Sequence, residues 1–201
     1  MQISDAKARP LTIIPLSLTL LRALLAPVVA LLAVYDPLPW AFGTCLILAL
    51  LSDYFDGVIA RRLKVASPGV RRLDSIVDTA FYLCAVFAVW RLQPQLLGQH
   101  RIPIFVLIGL EVVRYIFDFA KFKREASYHM WSSKLWGLLL FLAFFSVLVA
   151  GRGRLLFPLA IYMGIVADLE GLAISLVLKK WQNDVPSLYH AIRIRQDSLI
   201  D

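Results

Sequence analysis

Apolar residues run along this chain in long stretches that are separated by short polar connections. The stretches are unbroken and do not alternate with polar residues, so they predict helices and exclude a membrane β-barrel. A helix needs about 20 apolar residues to cross a bilayer. Six stretches reach that length, and they cover residues 12–35, 38–63, 73–92, 102–122, 132–150 and 155–178. The pattern therefore predicts an all-α fold, a bundle of six transmembrane helices.

Composition supports a lipid environment. The chain is 60% hydrophobic and 17% charged, whereas soluble domains are about half apolar and about a quarter charged. A length of 201 residues suits one domain. We expect a single membrane-embedded domain over 1–201, with an N-terminal cytoplasmic segment at 1–11 and a polar tail at 179–201 that forms a surface helix. No small-residue cleavage site follows a short apolar core near the N-terminus, so the first span is expected to direct insertion.

The net charge of +7 would suggest nucleic acid in a soluble protein. Here the basic residues cluster at the ends of the apolar stretches, which indicates membrane topology and contact with anionic lipids. If the six spans alternate in direction, one side of the bilayer carries most of the basic residues. That side is predicted to be the cytoplasm, with both termini on it. We predict a multi-pass protein of the inner cell membrane that binds no nucleic acid.

Four aspartates mark the junction of the second and third spans. The second stretch ends LSDYFDGVIARRL, and the third begins RRLDSIVDTAFY. Because a helix turns about 100° per residue, Asp53 and Asp56 share one helix face, as do Asp74 and Asp78. A short connection should make the two helices pack antiparallel, which brings both acidic faces together at the cytoplasmic boundary of the membrane.

Carboxylates at membrane depth are unfavourable by roughly 2.5–3.5 kcal/mol each on insertion scales, and four together repel one another. A divalent cation would offset both costs, and clustered carboxylates are the ligands of Mg²⁺ or Mn²⁺. Four carboxylates make a pair of ions plausible, an arrangement that serves phosphoryl transfer. The alternative is that the aspartates are helix ends exposed to water and headgroups. Four acids on facing helices, with the small residues Gly57 and Ala60 between them, favour the metal site.

The string Asp53-x-x-Asp56-Gly57-x-x-Ala60-Arg61, followed after twelve residues by Asp74-x-x-x-Asp78, resembles the signature of the CDP-alcohol phosphotransferases. One position departs from it: Val70 stands where the family has glycine, and the glycine is Gly69. The start of the first span, from Pro15 to Arg22, is similar to the family's Pro-Asn-x-Leu-Thr-x-x-Arg, with Leu16 in place of Asn.

The resemblance implies transfer of a substituted phosphate from a CDP-linked lipid to a small alcohol with release of CMP, in a homodimer. It implies that Asp53, Asp56, Asp74 and Asp78 bind metal and that Asp78 is also the general base. The CDP site would include Asp53, Gly57, Ala60, Arg61 and Asp74. Arg61 can bind phosphate through paired hydrogen bonds, or it can be a topology anchor.

Basic residues outside the motif are candidates for binding the acceptor alcohol: Arg71, Arg72, Arg114 and Lys134. Together they suggest a phosphorylated acceptor such as glycerol 3-phosphate or inositol phosphate. Each has an alternative role. Arg114 can pair with Glu111 three residues earlier, Lys134 can extend to the headgroups, and the loop arginines can enforce topology.

Further charged residues lie near these candidates. Asp118 is one turn beyond Arg114 and can share its ion pair, and His129 is predicted to be an interfacial residue. Asp168 and Glu170 in the sixth span are expected to be ion-pair partners of Arg22 or Arg114. No catalytic role is predicted for them.

A transporter of ions or metals is the competing class, because acids inside a membrane mark ion paths. Transporters often have inverted repeats and acids at the midplane. The aspartates here lie in one motif at one membrane face, which favours an enzyme that transfers a phosphatidyl group from CDP-diacylglycerol or a similar CDP-lipid.

Overall fold

The structure is a computed structural model in which the backbone is described for residues 5–63, 68–124 and 128–197, and side chains for 16–56, 58–59, 73–124 and 128–197. These residues form eight helices and no β-sheet. The helices are α1 Asp5–Tyr35, α2 Pro39–Leu63, α3 Pro68–Leu92, α4 Pro94–Gln99, α5 Arg101–Phe122, α6 Trp131–Leu148, α7 Leu156–Val177 and α8 Leu188–Asp197.

The all-α prediction is confirmed, and each predicted span contains one long helix. Within the described residues, four helices are long and apolar enough to cross a membrane, over Leu16–Tyr35, Leu73–Leu92, Trp131–Leu148 and Leu156–Val177. The charged residues of α5 and the aspartates of α2 reduce the apolar character of those two helices. The count of six spans and the cytoplasmic position of the termini stay predictions.

Prolines fix where several helices begin. Pro39, Pro68 and Pro94 are the first residues of α2, α3 and α4. Proline suits the first turn because its missing N–H would have no helical partner there. Since α3 begins at Pro68, Gly69 and Val70 belong to its first turn, so the displaced glycine lies in a helix and not in the connecting loop.

Residue contacts group the chain into two compact units. The first comprises Met1–Gln95 and Phe144–Arg152, and the second comprises Leu96–Ala143 and Gly153–Asp201. In the first unit, α1 packs against both α2 and α3. Its core includes Val29, Phe42, Ala85, Ala88 and Val89, each completely buried. The single domain over 1–201 stays a prediction.

In the second unit, α7 packs against α5 and α8. The tail helix that the sequence predicts is α8. It is attached through a buried apolar cluster that consists of Tyr128, Met130, Ile174, Leu178, Val185 and Ala191. The tail therefore has one face in the protein core, which its polar composition does not reveal.

Candidate active site

Arg22 of α1 lies at the centre of the acidic residues. It is 2% exposed although it sits within the apolar Leu16–Tyr35 segment. Because α1 packs against both α2 and α3, the guanidinium group reaches the acids of both helices. An ionised arginine at membrane depth requires paired charges, and this position supplies them.

All four motif aspartates pair with this guanidinium. Arg22 Nη2 donates to Asp56 Oδ2 at 2.6 Å, and Nη1 donates to Asp74 Oδ1 at 3.2 Å and to Asp78 Oδ1. Asp53 Oδ1 lies 3.3 Å from Nη1 as an ion pair. The predicted meeting of the two acidic helix faces is therefore present, with an arginine between them.

Ser52 holds the base of the guanidinium. Arg22 Nε donates to Ser52 Oγ at 3.4 Å, and Ser52 Oγ donates to the carbonyl of Ala49 at 2.8 Å. Ser52 is itself 2% exposed. The polar contacts of Arg22 thus extend from Nε to both terminal nitrogens, which fixes the plane of the group.

The aspartates differ in their access to the surroundings. The side chain of Asp56 is 6% exposed, whereas those of Asp74 and Asp78 are each 31% exposed and that of Asp53 is 53% exposed. The cluster thus has a buried inner side at Asp56 and an open side at the other three residues.

The residues fit a divalent cation. Carboxylate oxygens of Asp53, Asp56 and Asp74 all lie within 4.8 Å of one another. Around an octahedral Mg²⁺ with bonds of about 2.1 Å, adjacent oxygens lie about 3.0 Å apart and opposite oxygens about 4.2 Å apart. The donor set is all oxygen, which Mg²⁺ and Mn²⁺ prefer, and the three side chains must close further to reach that geometry.

Several predicted site residues lie outside the residues whose side chains the structure describes. They are Gly57, Ala60, Arg61, Arg71 and Arg72. Their helices are present, since α2 continues to Leu63 and α3 begins at Pro68. Their roles toward CDP or the acceptor stay predictions.

In the second unit, Arg114 is paired with two acids. Its Nη2 donates to Glu111 Oε1 at 3.2 Å, and its Nε lies 3.3 Å from Asp168 Oδ1. Asp168 is 1% exposed. The predicted pairs of Arg114 with Glu111 and with Asp168 are both confirmed, and they link α5 to α7.

Asp118 has a hydrogen-bond partner that the sequence did not suggest. Ser175 Oγ donates to Asp118 Oδ1, and the Tyr128 hydroxyl lies 3.1 Å from the same Oγ. Since a serine hydroxyl has one proton, Tyr128 donates to Ser175. Burial raises the pKa of Tyr128, which keeps its phenol protonated for that bond. Arg114 also acts on Asp118 through its charge, so the buried chain adds to the predicted charge interaction.

Lys134 and His129 lie at the surface of the second unit. Lys134 is exposed, with Nζ 4.5 Å from the centre of the Trp131 ring. His129 Nε2 lies 3.2 Å from Asp184 Oδ1, and both side chains are more than half exposed. These positions agree with an interfacial His129 and leave the amine of Lys134 accessible to an anion.

Arg22 is a site residue whose ion-pair partners were not predicted from the sequence. Asp168 or Glu170 were the expected partners of Arg22 or Arg114, and the structure pairs Asp168 with Arg114 and Arg22 with the motif aspartates. An arginine within an apolar span was the signal, because such a residue must have a counter-ion. Because Arg22 is far along the chain from the motif aspartates, the sequence did not indicate that they are its counter-ions.

The protein has helices that are long and apolar enough to cross a bilayer. It also has a carboxylate cluster that suits a divalent cation. These features are those of a helical membrane protein with a candidate metal site. The sequence model of the CDP-alcohol phosphatidyltransferase family matches residues 12–170. The chain therefore belongs to the CDP-alcohol phosphatidyltransferase family. The matched region contains Arg22 and all four aspartates.

Two relatives are both named CDP-diacylglycerol–glycerol-3-phosphate 3-phosphatidyltransferase. The protein from Cereibacter sphaeroides is 43% identical over 79 residues, which cover 38% of this chain and 36% of the relative. The protein from Pseudomonas fluorescens is 34% identical over 103 residues, which cover 50% of this chain and 51% of the relative. The alignments thus span about half or less of each relative. No solved structure gives a significant match.

Proposed function

We propose that this protein transfers the phosphatidyl group of CDP-diacylglycerol to glycerol 3-phosphate, with release of CMP, as a step of phospholipid biosynthesis. The observation that carries the proposal is the convergence of Asp53, Asp56 and Asp74 oxygens within 4.8 Å in a chain that belongs to this family. The names of both relatives favour glycerol 3-phosphate over inositol phosphate as the acceptor.

Asp53, Asp56, Asp74 and Asp78 would hold one or two Mg²⁺ or Mn²⁺ ions. Bound there, such ions supply positive charge that stabilises the diphosphate and the departing CMP. Asp56 is the buried member of the set and would anchor the site from within. The other three aspartates line its open side, where the donor must enter.

Asp78 would act as the general base. Its side chain is 31% exposed, so an acceptor hydroxyl can reach it. The carboxylate takes the hydroxyl proton while the acceptor oxygen forms a bond to the lipid-side phosphorus. The bond from that phosphorus to the CMP oxygen breaks, and CMP leaves with the electron pair.

For the donor nucleotide we propose contacts from Gly57, Ala60 and Arg61, together with Asp53 and Asp74. Gly57 costs roughly 1 kcal/mol in a helix relative to alanine, so its presence next to Asp56 suits a close approach of the donor to the backbone. Arg61 would bind a phosphate of the donor.

For the acceptor phosphate we propose Arg71 and Arg72, next to the motif, and as a separate candidate Lys134. Arg114 was also a candidate, but two carboxylates already neutralise it. An arginine in that state has little charge left for an anion, so the geometry favours the structural role. Lys134 has its amine at the surface, where a soluble phosphate can bind it.

The substrate proposal is tested with purified protein and CDP-diacylglycerol labelled in the CMP portion. Each assay contains Mg²⁺ or Mn²⁺ and one acceptor from a panel of glycerol 3-phosphate, inositol phosphate, inositol, serine and choline. We expect CMP release with glycerol 3-phosphate and none when EDTA is added. Release with another acceptor alone would overturn the acceptor assignment. No CMP release with any acceptor would overturn the proposed enzymatic activity and favour a transporter.

The site is proposed to face the cytoplasm, with the active protein a homodimer. Single cysteines at Asp36 and Asp197, in a background without Cys45 and Cys84, test the orientation with an impermeant maleimide on intact cells. We expect labelling at position 36 before permeabilisation and at position 197 only afterwards. The reverse order would place the site on the outer face. The mass of the purified protein in nanodiscs tests the dimer.

A further inference from the structure

The contacts of Arg22 Nη1 are unusual for a hydrogen-bond donor. Three carboxylate oxygens converge on this nitrogen: Asp53 Oδ1, Asp74 Oδ1 and Asp78 Oδ1. A terminal guanidinium nitrogen has two hydrogens, and its two hydrogen bonds go to Asp74 and Asp78. Asp53 Oδ1 therefore contacts Nη1 as an ion pair and not as a hydrogen-bond acceptor. A point at which three carboxylate oxygens meet suits a multiply coordinated cation better than an N–H donor.

The balance of charge also indicates that the cluster can bind a further cation. One guanidinium faces four carboxylates, so the group neutralises only part of the cluster. Arg22 and Asp56 are nearly inaccessible to water, and the remaining negative charge lies on the three more exposed aspartates. The four carboxylates therefore hold Arg22 in place by charge, and the cluster still carries net negative charge that attracts further cations.

Arg22 and a divalent cation cannot both occupy this point. An ion placed where Asp53 Oδ1, Asp74 Oδ1 and Asp78 Oδ1 converge would take the position of Nη1, which is 3.3 Å and 3.2 Å from the first two of these oxygens. Both groups are positively charged, and the three oxygens cannot serve both with full geometry. An ion that binds these oxygens therefore competes with Nη1 for them.

We propose that Arg22 is an exchangeable internal cation of the acid cluster, paired with the aspartates until a divalent cation binds and displaced from them when it does. This inference rests on the proposed function, because it takes the aspartates as metal ligands. Without metal, Arg22 would reduce the free-energy cost of placing the four carboxylates within the membrane. It would also weaken the apparent affinity for metal, since its contacts must break first. Asp78 would be freed from the guanidinium in the same exchange and could then accept a proton.

The test uses wild type, Arg22→Gln and Arg22→Lys, with Arg91→Gln as the matched control. Arg91 is an exposed arginine in the last turn of α3, away from the acid cluster. Binding of Mn²⁺ to the purified proteins is measured by electron paramagnetic resonance. Thermal unfolding in detergent is measured with EDTA and with saturating Mn²⁺.

The exchange predicts opposite effects on the two measurements. In EDTA, Arg22→Gln should unfold at a lower temperature than wild type, because the acids lose their counter-ion. Its Kd for Mn²⁺ should fall by about tenfold or more, and saturating Mn²⁺ should remove most of the difference in unfolding temperature. Arg22→Lys should give intermediate values, since an ammonium group cannot reach four carboxylates as a guanidinium does. It keeps the test available if the glutamine variant does not fold.

If the wild type binds Mn²⁺ and the Kd of both variants is unchanged or higher, the exchange is overturned while the metal site stays in place. A loss of stability that saturating Mn²⁺ does not reduce would also overturn it, because Arg22 would then be a purely structural residue. Absence of Mn²⁺ binding in wild type and in both variants would instead remove the metal site, and the proposed function with it.

Discussion

Gly171 on α7 lies against the side chain of Arg114 on α5. A Cβ atom at position 171 would stand 3.1 Å from both Cδ and Nη1 of Arg114, and 3.3 Å from Cε of Met130. These separations are shorter than ordinary van der Waals contact, so the absence of a side chain lets Arg114 reach Asp168. Gly171 thus acts as a spacer for a buried ion pair.

Gly171→Ala should therefore weaken the contact between Arg114 and Asp168. Asp168 is almost fully buried, and a carboxylate that loses its partner there is strongly unfavourable. We expect a lower unfolding temperature in detergent, equivalent to about 1–3 kcal/mol, the usual cost of overpacking. Gly109→Ala is the control, because a Cβ there meets no atom within 4 Å. Equal stability of the two variants would contradict the spacer role.

The chain of Asp118, Ser175 and Tyr128 predicts an order of stabilities. Ser175→Ala removes the middle member and leaves a buried carboxylate and a buried phenol without their shared partner, which should cost about 1–3 kcal/mol for each unsatisfied group. Tyr128→Phe removes one end, and Ser175 keeps its bond to Asp118. Thermal unfolding should rank wild type above Tyr128→Phe and Tyr128→Phe above Ser175→Ala. A Tyr128→Phe protein less stable than Ser175→Ala would contradict the chain.

Glu170 should hold the tail helix in place. Its Oε1 accepts the backbone N–H of Leu188 at 3.1 Å, and its Oε2 accepts from Ser132. We expect Glu170→Ala to increase amide hydrogen exchange across α8, since a hydrogen bond to a charged group contributes about 1.5–3 kcal/mol. Glu170→Gln, which keeps one acceptor, should be intermediate. Asp197→Asn, at the far end of α8, is the control and should exchange like wild type.

Asp78→Asn tests the general base. The amide cannot accept the acceptor's proton at the same step, so kcat should fall by about 10²–10⁴-fold. Mn²⁺ binding should be weakened much less than turnover, because Asp53, Asp56 and Asp74 keep their carboxylates. Asp36→Asn, in the turn after α1, serves as the control. Near-normal turnover in Asp78→Asn would remove this residue from the base role.

The local features of the site could be predicted from the sequence because they depend on short spacings. Asp53 and Asp56 are three residues apart and Asp74 and Asp78 are four apart, so helix geometry alone puts each pair on one face. The pair of Glu111 and Arg114 follows in the same way. The tail helix was predicted, but its attachment through Val185 and Ala191 was not, because only a few apolar residues carry it.

Hydrophobic periodicity and helix geometry by themselves determined the helical architecture, the membrane environment and the acidic faces, since these depend on neighbours within a few residues. The tertiary structure decided which long-range charges meet. Arg22 pairs with acids 31 to 56 residues away, and Ser175 with Asp118, 57 residues away. Such pairs depend on which helices pack together, and many pairings of buried charges satisfy the same sequence until packing selects one.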